Sequence, residues 1–252
     1  MAFTRAAARV APVSTFFDAS AVLQRTEIDV ICVASFPHLL GADLLSRAGV
    51  AVNLHPSLLP RHRGPDPLFW TYFDDDREAG VTLHHLSDRA DAGDIVAQRT
   101  LPLERGEDVV TLYTHLARAA AAMTAEVLDT LVAGTASRTP QVEAHATYEQ
   151  RPANPSIDFA AWPCERVWHV ISGLGSRRND LLPFAHGRAL GFERTAHGSP
   201  GRIERRRGTA RLSCADGYVD VATAPVAARI SRTARRLLHF AVRRSQSTES
   251  SR

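Results

Sequence analysis

The chain has 252 residues, 44% hydrophobic and 23% charged, with a formal net charge of +3. These are the proportions of a globular protein of one large or two smaller domains, which excludes wholesale disorder, and no apolar run approaches the roughly 18 residues of a membrane helix. All 30 basic residues are arginine, which excludes Schiff-base and phosphate-loop lysine chemistry.

Residues 28–34 (IDVICVA) form a short β-branched run, the pattern of a buried parallel strand. Residues 50–54 (VAVNL), 80–86 (GVTLHHL) and 95–103 (IVAQRTLPL) predict three more strands. A loop rich in proline and arginine, residues 55–67, follows the second. The clearest helix carries Val109, Leu112, Leu116, Ala119, Met123, Val127 and Leu131 on one face, with Glu107 and Asp108 at its start and Gly134 as its stop. Strands alternating with helices predict an α/β sheet. Residues 135–155 are polar with three prolines and read as a linker. Beyond it, Pro163 starts a helix whose face carries Val167, Val170, Ile171 and Leu174. Strands are predicted at 188–194, 202–207, 210–214 and 218–222, the last two flanking a hairpin turn at Ala215-Asp216-Gly217. The last dozen residues, 241–252, read as a frayed polar tail.

The two halves differ in charge. Residues 1–150 hold 12 arginines against 19 acidic residues, a charge of −7; residues 151–252 hold 18 against 8, a charge of +10. This asymmetry predicts two domains, the second either facing an anionic partner or presenting a solvated basic surface. The three cysteines are scattered, with no C-x-x-C pair. They fit a reducing, cytoplasmic setting better than a disulfide framework or a cysteine zinc site.

The densest polar constellation is Asn53-Leu54-His55-Pro56-Ser57-Leu58-Leu59-Pro60. Asn53 and His55 are two apart at a strand end and so share a face. That end is where α/β sheets place ligands. An amide beside an imidazole has the means to polarise a carbonyl and move a proton. Asp91, in Arg89-Ala90-Asp91-Ala92-Gly93-Asp94-Ile95, is a carboxylate suited to orienting an imidazole, though alone it reads as an ordinary acidic turn. His84 and His85 are neighbours on a strand, point to opposite faces and are not expected to share a metal.

Taken in order, the run from Asn53 to Pro60, Arg63-Gly64-x-x-Pro67, Gly80-Val81-Thr82 and Asp91-x-Gly93-Asp94-Ile95 resemble the motifs of the folate-dependent formyltransferases, with Asp91 36 positions after His55. Ala146-Thr147-Tyr148, Ile157-Asp158-Phe159 and Trp162-Pro163 look like that family's junction into its second domain. Pro200-Gly201-x-Ile203 and the stretch from Ala215 to Val219 look like strands of its small OB-like barrel. The likeness covers residues 10–225.

The resemblance implies an α/β fold. A partial Rossmann-like sheet would occupy residues 1–137, a linker 138–155, an OB-like β domain 156–240 and a disordered tail 241–252. The family opens with a strand, a helix and a strand ahead of the segment matching residues 11–26. That unit is expected to be missing here, through an upstream start, a truncated paralogue or a partner chain that completes the sheet. The resemblance also implies roles. Asn53 would hold the formyl oxygen, His55 would take a proton from the attacking amine or stabilise the tetrahedral intermediate, and Asp91 would orient His55 and assist proton movement. The donor would be 10-formyltetrahydrofolate, its pterin near Phe36, Pro37, Leu39 and Leu40 and along Ala90, Gly93 and Asp94. No metal and no membrane partner are expected. The leading acceptor is the amino group of methionyl-tRNA, because a basic second half suits phosphate. Residues 173–183 lack the Trp-Pro-Gly usual in the tRNA enzymes, which keeps an amino-sugar nucleotide or other small amine in play. A catalytically inactive remnant is the third reading.

Overall fold

The computed structural model describes residues 28–35, 40, 45–46, 48–150, 155–175, 177, 181–182, 188–195 and 199–223. Residues 1–27, Phe36, Pro37, Leu39 and the tail 241–252 lie outside the described residues, and with them the expectation of a missing first unit. The chain forms two compact units. The first comprises residues up to 71, 76–103 and 113–151; the second comprises 72–75, 104–112 and the chain from 152 onward.

The first unit holds a four-stranded mixed sheet in the order β1-β2-β3-β4. These are β1 (Ile28–Ala34), β2 (Ala48–His55), β3 (Glu78–His85) and β4 (Ile95–Pro102). Only β1 and β2 run parallel; β2–β3 and β3–β4 are antiparallel. The sheet core is β3, seven of whose eight residues are buried. By contrast β1, expected as a buried strand, has no buried residue and comes at the end of the order among the described strands. An apolar run marks strand propensity, whereas burial requires cover on both faces.

Helix α1 (Pro67–Phe73) falls just after the loop read from the sequence and was not among the predicted elements. It begins with proline at its first position, where the lost N–H is not needed. At seven residues it is too short to show a helical period, and its aromatic residues carry strand propensity. Helix α2 (Val109–Val132) has the expected span, with Leu112, Leu116, Ala120, Met123 and Leu131 buried. Asp108 Oδ1 accepts the Val110 N–H at 2.8 Å as a cap. At the other end Gly134 has φ +68, and the N–H groups of Gly134 and Thr135 bond the carbonyls of Leu131 and Thr130. That pattern closes a helix through a left-handed residue.

The stretch expected as a linker, residues 138–155, is bonded to the first unit along most of its length. Thr139 bridges Ile95 in antiparallel fashion, Tyr148 bridges Arg63 in parallel fashion, and Glu143–His145 forms a short 3-10 turn.

In the second unit, helix α3 (Cys164–Leu174) starts after Pro163, and Asp216 Oδ1 accepts the Cys164 N–H at 2.6 Å. Strands β5 (Arg188–Arg194), β6 (Ile203–Arg206), β7 (Thr209–Ser213) and β8 (Gly217–Ala222) form an antiparallel sheet in the order β5-β8-β7-β6. β7 and β8 are the predicted hairpin, closed by the Cys214 N–H on Gly217 O at 2.7 Å. Tyr72 belongs to this unit because its ring stacks on buried His169 at 5.0 Å and its hydroxyl donates to Glu107 O at 2.7 Å. Among the described residues, no helix is long and apolar enough to cross a membrane.

Candidate active site

The site lies in the first unit, at the carboxyl end of β2. Asn53 and His55 share a face there as expected, and His55 is only 4% exposed. The loop after β2 is pinned from below. Thr82 Oγ1 donates to Ser57 O at 2.7 Å and accepts the Leu59 N–H at 3.2 Å. Gln98 Nε2 donates to Leu59 O at 3.0 Å. The Leu59-Pro60 bond is cis. The loop then turns back, so the carbonyl of His62 faces the His55 ring.

That carbonyl decides which nitrogen of His55 is left to face Asp91. His55 Nε2 donates to His62 O at 2.8 Å. The remaining nitrogen, Nδ1, therefore faces Asp91, with Oδ1 at 3.4 Å. In the neutral ring the Nδ1 lone pair therefore lies on the side of Asp91. The carboxylate is oriented as well: Asp91 Oδ2 accepts the Gly64 N–H at 2.9 Å. So the three residues singled out from the sequence come together.

A fourth residue joins them that sequence reasoning set aside. Asn53 and His84 are direct partners across β2 and β3. His84 Nδ1 donates to His85 O at 2.9 Å, which leaves Nε2 as an acceptor for the Asn53 amide N–H at 3.1 Å. Burial holds the His84 ring below its ordinary titration range. The ring is therefore a neutral acceptor that fixes the Asn53 amide, with Nδ2 on one side and Oδ1 on the other. Neighbouring strand positions gave only opposite faces for His84 and His85; the cross-strand register supplies the partner. His85, on the other face, bonds Ser137 O at 3.2 Å.

The turn carrying Asp91 is closely built. Asp91 has φ +54, an uncommon left-handed conformation for a residue with a side chain. A Cβ on Gly93 would lie 1.9 Å from His85 O, so only glycine fits there. A cleft of about 220 Å³ beside this turn is lined by Gly93, Asp94, Leu86, Ser87 and Arg138 among others. Of the other positions expected beside a pterin, Ala90 is exposed and Leu40 half-buried. Arg63, part of a motif but given no role from the sequence, and Gln141, which the sequence did not single out, also hold the turn. Arg63 is 3% exposed and donates to Gln141 and Glu143, and Gln141 bonds the turn itself.

Residues 9–128 match the family model described as formyl transferase. Methionyl-tRNA formyltransferase of Lactiplantibacillus plantarum is 34% identical over 149 residues, which is 58% of this chain and 47% of that protein. The match thus spans about half the length of that curated relative. Among solved structures, WlaRD, a sugar 3N-formyl transferase solved with dTDP and 5-N-formyl-THF, has a TM-score of 0.63 at 17% identity. The alignment covers 78% of this chain and 74% of that one. HypX from Aquifex aeolicus, in complex with tetrahydrofolic acid, has a TM-score of 0.60 at 21% identity, covering 80% of this chain and 36% of that one. At those identities the two structures are likenesses of fold.

Proposed function

We propose, on the match of residues 9–128 to the formyl transferase model, that the chain belongs to that family and moves a formyl group from 10-formyltetrahydrofolate to a primary amine. One observation carries the reading. Asn53, His55 and Asp91 converge at the end of β2, and the His62 carbonyl leaves the Nδ1 of His55 facing Asp91. Acyl transfer to an amine needs an oxyanion donor, a proton carrier and a group that orients the carrier.

In this proposal the amine nitrogen attacks the formyl carbon and a new C–N bond forms. Asn53 donates its second amide hydrogen to the oxygen as negative charge gathers on it. His55 Nδ1 takes the proton that the nitrogen must lose, and the Asp91 carboxylate beside it stabilises the resulting imidazolium. When the bond to N10 breaks, His55 returns that proton to N10, releasing tetrahydrofolate. Atoms and charges balance without a covalent enzyme intermediate. The turn from Ala90 to Asp94, with Gly93 pressed against His85, would carry the pterin, together with Phe36, Pro37, Leu39 and Leu40. We read the second unit as the family's OB-like domain and the protein as cytoplasmic.

For the acceptor we propose the amino group of methionyl-tRNA, supported by the curated relative and by the basic second half. An amino-sugar nucleotide is the second reading, favoured by the likeness in fold to a sugar 3N-formyl transferase. The test uses the full chain with 10-formyltetrahydrofolate and follows tetrahydrofolate release, first with methionyl-tRNA and then with amino-sugar nucleotides. Release is expected with one acceptor class only. His55→Ala is expected to abolish it without loss of folding, and Asp91→Asn to remove most of it while donor binding persists. Undiminished release by His55→Ala sinks the assignment.

A further inference from the structure

We infer that Gln141, in the stretch after helix α2, is a positioning residue for Asp91. The inference rests on the formyl-transfer reading of the site. The Gln141 amide is fully committed. Its Nε2 donates to the carbonyls of Asp91 and Gly93, at 2.9 and 2.7 Å. Its Oε1 accepts from Arg63 Nε at 3.1 Å and from a terminal guanidinium nitrogen at 2.8 Å. Because a guanidinium only donates and a carbonyl only accepts, the amide orientation is unambiguous.

Both anchors of Gln141 are themselves fixed. Arg63 is buried and gives further bonds to Glu143. The Arg63 backbone exchanges bonds with the same stretch, its N–H on Thr147 O at 3.1 Å and its carbonyl accepting from Glu149 N–H at 3.0 Å. Two residues before Gln141, Thr139 pairs with Ile95 through bonds of 2.8 and 3.0 Å.

The object held is the turn carrying Asp91, whose internal backbone bond, Ala92 N–H to Arg89 O, is long at 3.3 Å. Asp91 sits at φ +54, and its carboxylate reaches His55 only while the turn keeps that shape. Arg63 and Gly64 thus act on Asp91 from two sides. Gly64 bonds the carboxylate directly, and Arg63 fixes the backbone through Gln141. The Gln141 amide bonds go to backbone carbonyls and to Arg63, none to Asn53, His55 or the Asp91 carboxylate. Its effect on the chemistry therefore passes through Asp91.

The test is a double-mutant cycle in the full chain. Gln141→Met keeps the length and removes both donors. It is expected to lower kcat about 10- to 100-fold, the effect of a catalytic group misplaced by a fraction of an ångström to an ångström, with KM for the donor within about threefold. In an Asp91→Asn background the same substitution is expected to cost less than about threefold, because the group it positions is already disabled. Equal losses in the two backgrounds, or no loss in the parent, overturn the proposal. Gln141→Glu keeps oxygens for Arg63 but offers no donors to the turn. It should behave like Gln141→Met, and it stands in if that variant fails to fold. A readout independent of turnover is the 15N resonance of His55 Nδ1, assigned by its loss in His55→Ala. It should move in Gln141→Met in the direction seen for Asp91→Asn; an unmoved resonance overturns the proposal even if the chain releases no formyl group. Absence of turnover in the parent with any amine sinks the formyl-transfer reading and leaves this spectroscopic test standing.

Discussion

His84 shows how a single side chain in this site is set by its protonation state. Its Nε2 accepts from Asn53 only while the ring is neutral. Burial favours that neutral form, opposed by Asp91 at 3.7 Å and assisted by the repulsion of His55 and His85. A proton on Nε2 turns the acceptor into a donor, and the Asn53 amide must then turn its oxygen to the ring. The wild type should therefore lose kcat as pH falls below the ordinary histidine value of 6.5. His84→Gln, which keeps a neutral acceptor, should lack that step and retain most activity. His84→Met, with no strong acceptor, should lose about tenfold, the equivalent of one hydrogen bond of roughly 1.4 kcal/mol. Kinetics of the three proteins from pH 5 to 8 decide the matter; identical acid limbs would exclude His84 as the cause. Stability has the same sign. Above 6.5 folded and unfolded chains are both neutral at this residue; below it the unfolded chain gains the proton first, so stability falls as pH falls. His85, also shifted down by burial, adds in the same direction.

At the scale of elements, the loop after β2 and the stretch at 138–150 behave as one piece, and Gly64 is where they meet. It has φ +111, and a Cβ there would lie 2.3 Å from Glu149 O. Its N–H is also the donor to Asp91 Oδ2. Gly64→Ala is expected to cost about 2–3 kcal/mol of stability, through strain and backbone displacement. Activity should fall more than the folded fraction does. Thermal melting and single-turnover rates on the same sample separate the two effects; an unchanged rate would mean the carboxylate does not depend on this donor. This joint was only half legible in the sequence. The motif at 53–60 and helix α2 could be read because one is a fixed local pattern and the other a long amphipathic period. Residues 138–150 look like a linker because their bonds go to Arg63, Asp91 and Ile95, far away in sequence, and leave no local period. The Asn53–His84 pair is hidden for the same reason, since it exists only once β2 and β3 are in register. Helix α1 is too short and too aromatic to announce itself, and the apolar run of β1 reports strand propensity without reporting burial.

On the scale of the whole chain, residues 151–252 keep a charge of +10 after their 8 acidic residues are set against 18 arginines, and four of the described arginines are paired with three of those acids. Arg211 pairs with Asp220 at 2.8 Å, Arg194 with Glu165, and Arg202 and Arg206 with Glu204 at 3.5 and 3.9 Å. A phosphate backbone would have to compete with these carboxylates, yet the pairs are largely exposed and therefore weak. Salt dependence measures the balance. If methionyl-tRNA is the acceptor and three phosphates are neutralised, raising salt from 50 to 200 mM should raise KM for tRNA about 40-fold. An amino-sugar nucleotide makes no such extended contact, and its KM should change by less than about threefold, through screening alone. The same titration on kcat guards against a general effect of salt on folding, because counterion release acts on acceptor binding and leaves the saturated rate unchanged. A steep KM with a flat kcat supports the tRNA reading. A flat KM for tRNA, beside efficient turnover of a sugar nucleotide, removes it.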